Sequence, residues 1–313
     1  MATDLEKAGV EAWLAEAVER LVRGEASTLD SVLLSVGDPK QINETETRCR
    51  LHFLTRDGNG FPRAEALAAM LGKQVVDYCI PRSRISEAME HYESTGSTEL
   101  IVRLGKEATD LFAQSATSGE GGELLLYLLL ERVLQVPQLL CKMSVKTSTE
   151  MHVHGSDGIH GKVLPDGNLA LYWGEAKLYG DLGSAVRSCF EGIAPYLRDL
   201  TGERRKRDVL LLRDNLDVGD PDLAEALRRF FVEEAPESAR VQFRAACLVA
   251  FDREDYPNAD DQKVVDELME AIVNQVTSRV SHHSLDRFEI EVFCLPFPSV
   301  QDFRDSVQRS LRS

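Results

Sequence analysis

The chain has 313 residues, of which 43% are hydrophobic and 28% are charged, so it can form one large or two ordinary folded domains and is not a disordered protein. Lysine and arginine number 36 against 52 aspartates and glutamates, which gives a formal net charge of -16. Because general affinity for nucleic acid depends on lysine and arginine, so acidic a chain needs a local basic patch or a partner to bind DNA.

The first part of the chain is predicted to be mainly helical. Apolar residues recur at helical spacing in four segments, 5–21, 64–71, 83–91 and 99–113. One short strand is predicted at 74–80, just before Pro81. The glycine-rich polar stretch 115–122 then predicts a boundary. We therefore expect a helical N-terminal unit, residues 1–117, which serves mainly for partner contact, and a second domain, residues 118–313.

The second domain alternates between helical and strand-like patterns. Strands are predicted at 139–145, 169–178, 208–212, 241–251 and 288–295. Helices are predicted at 123–134, 182–200, 222–232, 260–280 and 300–311, with Ser118 as the N-cap of the first. This alternation favours an α/β fold with a central mixed sheet flanked by helices.

The predicted strand 169–178 carries two charged residues on an otherwise apolar face. Glu175 and Lys177 share the parity of Leu169, Leu171 and Trp173, so all five side chains point to the same side of the sheet. Burying charges without partners is costly, so a functional role is expected for this pair.

An aspartate precedes this strand, at the start of a predicted hairpin. Asp157 stands beside Gly158, and the hairpin turns at 164–168. Two carboxylates and a lysine are the groups that metal-dependent phosphodiester hydrolysis requires: the acids hold Mg²⁺ or Mn²⁺, and the lysine orients the nucleophile. Each residue also has a structural interpretation, since Glu175 and Lys177 can pair on a surface and Asp157 can form a turn.

The order of acid, hairpin and Glu-x-Lys resembles the PD-(D/E)xK nuclease core, a restriction-endonuclease-like fold. The sequence departs from that pattern in having Ser156, rather than proline, before Asp157. In this superfamily a preceding helix usually contributes another acid. We expect that acid to be Glu123, ahead of Glu131, although Glu123 would also favour the helix dipole without any catalytic role.

Histidines suggest a rival interpretation. His152 and His154 lie two residues apart, as on one face of a strand, which favours a zinc hydrolase, but no third ligand follows at a clear spacing. His160 is expected to be a substrate contact or a hydrogen-bonded structural residue. The one dense basic run, residues 204–207, is predicted to contact nucleic-acid backbone or to form a solvated loop.

The six cysteines are scattered and form no Cys-x-x-Cys pair, so we expect buried thiols in a reducing compartment. No apolar run is long enough to span a membrane, and the first residues show no secretory signal. A cytoplasmic location without membrane contact is therefore expected.

Over residues 121–190 the sequence also resembles a narrower family, HamA, the nuclease subunit of the Hachiman anti-phage defence system. The segments 153–161 (VHGSDGIHG) and 171–179 (LYWGEAKLY) carry this resemblance. It implies a metal-dependent DNA nuclease that acts as the effector of a complex with a superfamily 2 helicase (HamB-like). The family roles carry over to Asp157 and Glu175 as metal ligands and to Lys177 as the catalytic lysine.

The working hypothesis is a DNA nuclease that uses Mg²⁺ or Mn²⁺. Asp157 and Glu175 hold the metal, the Ala176 carbonyl completes its protein ligands, Lys177 positions the attacking water, and Glu123 is the outer acid. The alternative is a non-catalytic adaptor that keeps a nuclease-like fold as a binding platform. The sequence leaves open whether DNA or RNA is cut, whether cleavage is internal or from ends, and what triggers it.

Overall fold

The computed structural model describes residues 4–115, 119–143, 157–199 and 202–311. The strands in this part of the chain are β1 (Leu33–Gln41), β2 (Thr47–Leu54), β3 (Gln138–Leu140), β4 (Gly158–Val163), β5 (Leu169–Tyr179), β6 (Val241–Asp252) and β7 (Ile290–Phe297). They form one seven-stranded sheet in the order β1-β2-β7-β6-β5-β4-β3.

Helices cover both faces of this sheet. The first seven in the described segments are α1 (Asp4–Glu19), α2 (Ser27–Asp30), α3 (Ala64–Lys73), α4 (Val75–Cys79), α5 (Arg82–Thr95), α6 (Glu99–Ser115) and α7 (Glu120–Arg132). After the β4–β5 hairpin come α8 (Leu182–Leu197), α9 (Glu203–Asp214), α10 (Pro221–Arg228), α11 (Gln262–His283) and α12 (Val300–Ser310). Two 3-10 turns, Arg229–Phe231 and Pro236–Arg240, lie between α10 and β6.

The sheet is mixed, as predicted. Its centre is parallel, because β5 pairs with β6, β6 with β7, and β7 with β2 in the same direction. The outer pairs β1–β2, β4–β5 and β3–β4 are antiparallel. Strands at the parallel centre are covered on both faces, which explains the nearly unbroken apolar sequence of β6 and β7. The α/β class is therefore confirmed.

The alternation predicted for β5 is also confirmed. Leu169, Leu171 and Trp173 belong to the apolar cluster on one face. Ala170 and Ala176 belong to the cluster on the opposite face, against α7. Because side chains alternate along a strand, Glu175 and Lys177 continue the face of Trp173.

Two expectations about local structure are wrong, and a third is confirmed only in part. The segment 74–80, predicted as a strand, contains helix α4, and the Val/Leu run at 208–212 lies inside helix α9. The periodicity of a short apolar run cannot distinguish a strand from a helix. In both segments the tertiary packing favours the helix. The strand predicted at 139–145 is confirmed only in part: β3 begins at Gln138 and ends at Leu140, Lys142 and Met143 are helical, and residues 144–145 lie outside the described residues. Ser118, the predicted N-cap, lies outside the described residues, and α7 begins at Glu120.

The N-terminal part is not only helical. It supplies β1 and β2, and β2 hydrogen-bonds to β7 with Cys49 opposite Val292. Leu67 and Tyr78 from this part share one apolar cluster with Leu124 of α7. Residues 33–54 therefore help to build the central sheet, and the division at residues 117 and 118 stays a prediction.

The six cysteines are buried free thiols, as expected. No helix in the described ranges has the length and apolar character needed to cross a membrane.

Candidate active site

The candidate site lies where β4 separates from β5. Asp157 immediately precedes β4, and its backbone N–H donates to the Gly174 carbonyl at 2.8 Å. Its side-chain Oδ2 accepts a hydrogen bond from the Ala176 N–H, also at 2.8 Å. The carboxylate thus takes the place of the next backbone carbonyl in the ladder, and it is held against β5 at the point where strand pairing stops.

The backbone of Ala176 has a direction that matters for this site. In an antiparallel ladder the N–H and C=O of one residue point to the same neighbouring strand. Because the Ala176 N–H points to Asp157, the Ala176 carbonyl lies on that side of β5 as well. The structure therefore brings the three predicted ligand residues, Asp157, Glu175 and Ala176, to one edge of the β4–β5 pair.

Glu175 is buried between β5 and helix α8. Its residue is only 7% exposed, and its Oε1 lies 2.5 Å from the Nζ of Lys177. Gly192 of α8 faces its carboxyl group so closely that a Cβ there would lie 2.5 Å from the Glu175 Cδ. Lys177 is more open, with 28% of its side chain exposed, so the pair connects the buried acid to the surface.

Helix α7 brings Glu123 to the same place. A Cβ on Gly122 would lie 2.5 Å from the Leu178 Cδ1, so the glycine lets the start of α7 pack closely on β5. Glu123 Oε2 accepts a hydrogen bond from the Tyr78 hydroxyl at 3.2 Å. Glu123 and Asp157 are connected through Lys142, whose Nζ lies 3.8 Å from an oxygen of each.

Sequence reasoning missed both Lys142 and Tyr78. Lys142 follows the buried strand β3 and stands between Cys141 and Met143, so a charged residue inside an apolar run was the available signal. Tyr78 had no comparable signal, because its contact with Glu123 joins residues 45 positions apart.

The clustered acids perturb one another. Burial raises the pKa of Asp157, and the negative charges of Glu123 and Glu175 raise it further, to about 7. The pKa of Glu175 is also raised by burial, although Lys177 and Lys142 oppose the shift. A cation near these oxygens would relieve the repulsion, which is the electrostatic condition that a metal site requires.

Lys177 stays protonated in this environment. Burial by itself lowers its pKa, but the hydrogen bond to Glu175 and the charges of Glu175 and Asp157 outweigh burial, so the pKa lies above its usual value. The ammonium group is therefore a hydrogen-bond donor and a positive charge, not a base, at neutral pH.

Glu131 lies in a different network from Glu123. Its residue has no exposed surface, and its two oxygens accept backbone N–H groups of Gln138 and Arg23, each at 2.8 Å. Arg82 adds an ion pair at 3.9 Å. Of the two acids considered on this helix, the structure therefore places Glu123 beside Asp157 and Glu131 in a buried structural contact.

Of the two roles expected for His160, its surroundings match that of a hydrogen-bonded structural residue. It is 1% exposed, and its Nδ1 lies 3.0 Å from the Val136 carbonyl. Burial lowers its pKa to about 4, so the ring is neutral. His152 and His154, on which the zinc interpretation depends, lie outside the described residues.

The basic run is part of helix α9, not a solvated loop. Arg205 pairs with Asp199 and stacks on Phe243, with its guanidinium carbon 4.9 Å from the ring centre. Lys206 pairs with Glu233 at 3.3 Å, and Arg207 pairs with Asp208 at 3.6 Å. These acidic partners reduce the positive charge that the run can offer to a nucleic acid.

The site fits a hard divalent cation with few protein ligands. Within the described segments, no group of three or more His, Cys, Asp or Glu side chains is arranged to hold a metal ion. Mg²⁺ in proteins usually keeps several waters and binds through one or two carboxylates. Two carboxylates and a backbone carbonyl, all oxygen donors, meet that requirement, and these three described groups include none of the nitrogen and sulfur ligands that zinc prefers.

The HamA family model matches residues 31–311, a range that contains the whole sheet and the site described above. No curated protein and no solved structure matches the chain.

Proposed function

The chain belongs to the HamA family, a component of Hachiman defence, and on this premise we propose that it is a metal-dependent DNA nuclease and the effector subunit of an anti-phage complex. The observation that carries the proposal is the meeting of Asp157, Glu175 and Lys177 where β4 leaves β5. The arrangement of acid, hairpin and Glu-x-Lys supports a PD-(D/E)xK mechanism.

In this mechanism Asp157, Glu175 and the Ala176 carbonyl would hold Mg²⁺ or Mn²⁺. A bound divalent ion supplies Lewis-acid stabilisation and lowers the pKa of water. The Ala176 N–H keeps the Asp157 carboxylate fixed against β5, and Glu123 acts as the outer acid. Gly192 leaves the space in which the Glu175 carboxyl group lies.

Lys177 acts on the substrate as a cation. Its ammonium group is held by Glu175 and remains partly exposed, so it can donate to a phosphate oxygen or to the attacking water. Because its pKa is raised, it stabilises developing negative charge and does not accept the proton of the nucleophile.

The charge of the chain supports a partner that binds DNA. A net charge of -16 opposes approach to a polyanion. The described side chains of the basic run on α9 are paired with acids. A HamB-like superfamily 2 helicase would supply the missing DNA affinity and control access to the site.

The test is cleavage of supercoiled and linear DNA by the purified chain, with and without the helicase, in Mg²⁺ and in EDTA. We expect metal-dependent loss of DNA that disappears in the Glu175→Ala, Lys177→Ala variant. The Lys206→Ala variant, altered on the surface of α9, is the matched control and keeps its activity. Equal cleavage by the double variant would reject the proposal.

A second candidate, a non-catalytic adaptor, is favoured by one observation: the described side chains do not form a metal site of three ligands. In that case the sheet is a binding platform and the acidic surface recruits a basic protein. Calorimetry with Mn²⁺ separates the two, because only the nuclease predicts a binding site that Asp157→Ala abolishes.

A further inference from the structure

Lys142 is a buried lysine in the middle of the acidic cluster. Only 7% of its side chain is exposed, and its Nζ lies 3.8 Å from Glu123 Oε2 and 3.8 Å from Asp157 Oδ1. Lysine is almost never buried to this extent unless it is paired. The two acids are therefore its counter-ions, and the ammonium group lies between them.

The position of Lys142 is determined by the surrounding backbone. The thiol of the preceding residue, Cys141, donates to the Tyr78 carbonyl at 3.6 Å. The Tyr78 hydroxyl in turn donates to Glu123. Tyr78 thus connects the end of β3 to the start of α7, and the lysine and the helix acid are held opposite each other.

The charges of the cluster nearly balance without a metal. Among the side chains that the structure describes there, three carboxylates (Glu123, Asp157 and Glu175) face two ammonium groups (Lys142 and Lys177), a formal charge of -1 when all are ionised. One divalent ion would change this charge to about +1, whereas two would make it about +3 in a mostly buried site, where like charges repel strongly.

We propose that Lys142 is a resident cation of the site: its ammonium group occupies the place between Glu123 and Asp157 that a second divalent ion would need, and it limits the site to one divalent ion. Glu123 then anchors Lys142 and is not a metal ligand. This inference rests on the proposed function, in which Asp157 and Glu175 would hold the first ion. It adds that the site binds only one ion, and that Lys142 is the reason.

The number of bound ions can be measured without any activity. Mn²⁺ is titrated into the full chain by calorimetry, and bound and free Mn²⁺ are counted by electron paramagnetic resonance. We expect one Mn²⁺ per chain for the wild type. In Lys142→Met, which keeps the length of the side chain without its charge, we expect a second bound Mn²⁺ per chain.

Two matched variants serve as controls. Lys142→Arg keeps the positive charge and should keep the wild-type count, and Lys162→Met on β4 removes a lysine outside the cluster and should change nothing. If Lys142→Met does not fold, the double variant Lys142→Met, Glu123→Gln removes both members of the pair together. We expect it to bind one Mn²⁺ at least tenfold more tightly, because Asp157 has lost the ammonium group beside it.

The outcomes separate this inference from the proposed function. Two Mn²⁺ per wild-type chain, an unchanged count of one in folded Lys142→Met, or an unchanged affinity in the folded double variant would overturn the role of Lys142 and leave the nuclease proposal intact. If the wild type binds no Mn²⁺ but Lys142→Met binds one, the lysine excludes metal and the metal-dependent function fails. If neither binds Mn²⁺, both ideas are rejected.

Discussion

Gly192 and Glu175 are in such close contact that no larger residue than glycine fits at position 192 without displacing the acid. A Cβ there would lie 2.5 Å from the Glu175 Cδ and 2.7 Å from its Oε1. Both distances are shorter than ordinary carbon and oxygen contacts. Gly192 lies inside helix α8, where glycine normally costs about 0.5–1 kcal/mol relative to alanine, so the close approach gives a physical reason for its presence.

The first prediction concerns this contact. Gly192→Ala should reduce DNA cleavage at least tenfold, because the new methyl group moves the Glu175 carboxyl group away from Asp157. Gly105→Ala is the matched control, since Gly105 also lies within a helix but a Cβ there meets nothing within 4 Å. Cleavage rates of both variants test the prediction, and their melting temperatures show whether each variant is folded. Full activity in the Gly192 variant would show that the acid tolerates displacement.

The second prediction concerns the stability of the metal-free protein. The pKa of Asp157 is raised to about 7 in the folded chain, so between about pH 4 and 7 the folded state binds more protons than the unfolded state, and the free energy of unfolding falls as pH rises. At pH 8, in EDTA, Asp157→Asn should therefore be more stable than the wild type, by as much as about 4 kcal/mol.

Denaturant unfolding of the wild type and the Asp157→Asn variant at pH 5 and pH 8 tests the direction of this change in the free energy of unfolding. The asparagine oxygen can still accept from the Ala176 N–H, so a purely structural loss is minimised. Cleavage should fall by at least about 100-fold, because a metal ligand is lost. A variant less stable than the wild type at pH 8 would contradict the electrostatic account.

The third prediction separates the two acids of helix α7. Glu131→Gln should lower the free energy of unfolding by about 1–3 kcal/mol, because an amide nitrogen replaces one of the two oxygens that accept the backbone N–H groups of Gln138 and Arg23, and one of these buried donors loses its acceptor. Cleavage per folded molecule should remain near the wild-type value. Glu123→Gln should slow cleavage at least tenfold, and its loss of stability should be smaller because buried Lys142 keeps Asp157 as a counter-ion. Cleavage assays at low temperature and denaturant unfolding compare the two variants. If Glu131→Gln lost cleavage and Glu123→Gln kept it, Glu131 would be the functional acid.

The fourth prediction concerns acid sensitivity. Burial and the nearby charge of Arg50 lower the pKa of His52 to about 4, so the unfolded chain binds a proton below about pH 6.5 that the folded chain refuses. Stability from this residue is therefore lost as pH falls, by about 2 kcal/mol at pH 5.

His52→Phe should remove that share of the pH dependence, since the ring already packs beside Phe293 with centroids 5.8 Å apart. The readout is the difference in unfolding free energy between pH 7.5 and pH 5. His160 has a similarly lowered pKa, so part of the dependence will persist. An unchanged difference would show that His52 does not titrate in this range.

Local patterns were sufficient for some features and insufficient for others. The parity of β5 could be read from alternate residues, and the faces of Trp173 and Ala176 follow it. Strand β1 was missed because most of it is exposed, so it shows no apolar alternation. The Val/Leu run at 208–212 predicts a strand because it is short and carries no helical period of its own, whereas in the structure it lies inside helix α9.

The sequence by itself determined which groups could do chemistry: Asp157, Glu175 and Lys177 stand at positions set by a hairpin and by strand parity, and both depend on neighbours along the chain. Only the tertiary structure decided that Glu123, and not Glu131, faces Asp157, and that Lys142, Tyr78 and Gly192 complete their surroundings. These contacts join residues that are far apart in sequence, and they depend on how α4, α7 and α8 pack on the sheet. Such packing is a property of the whole core, so no local pattern encodes it.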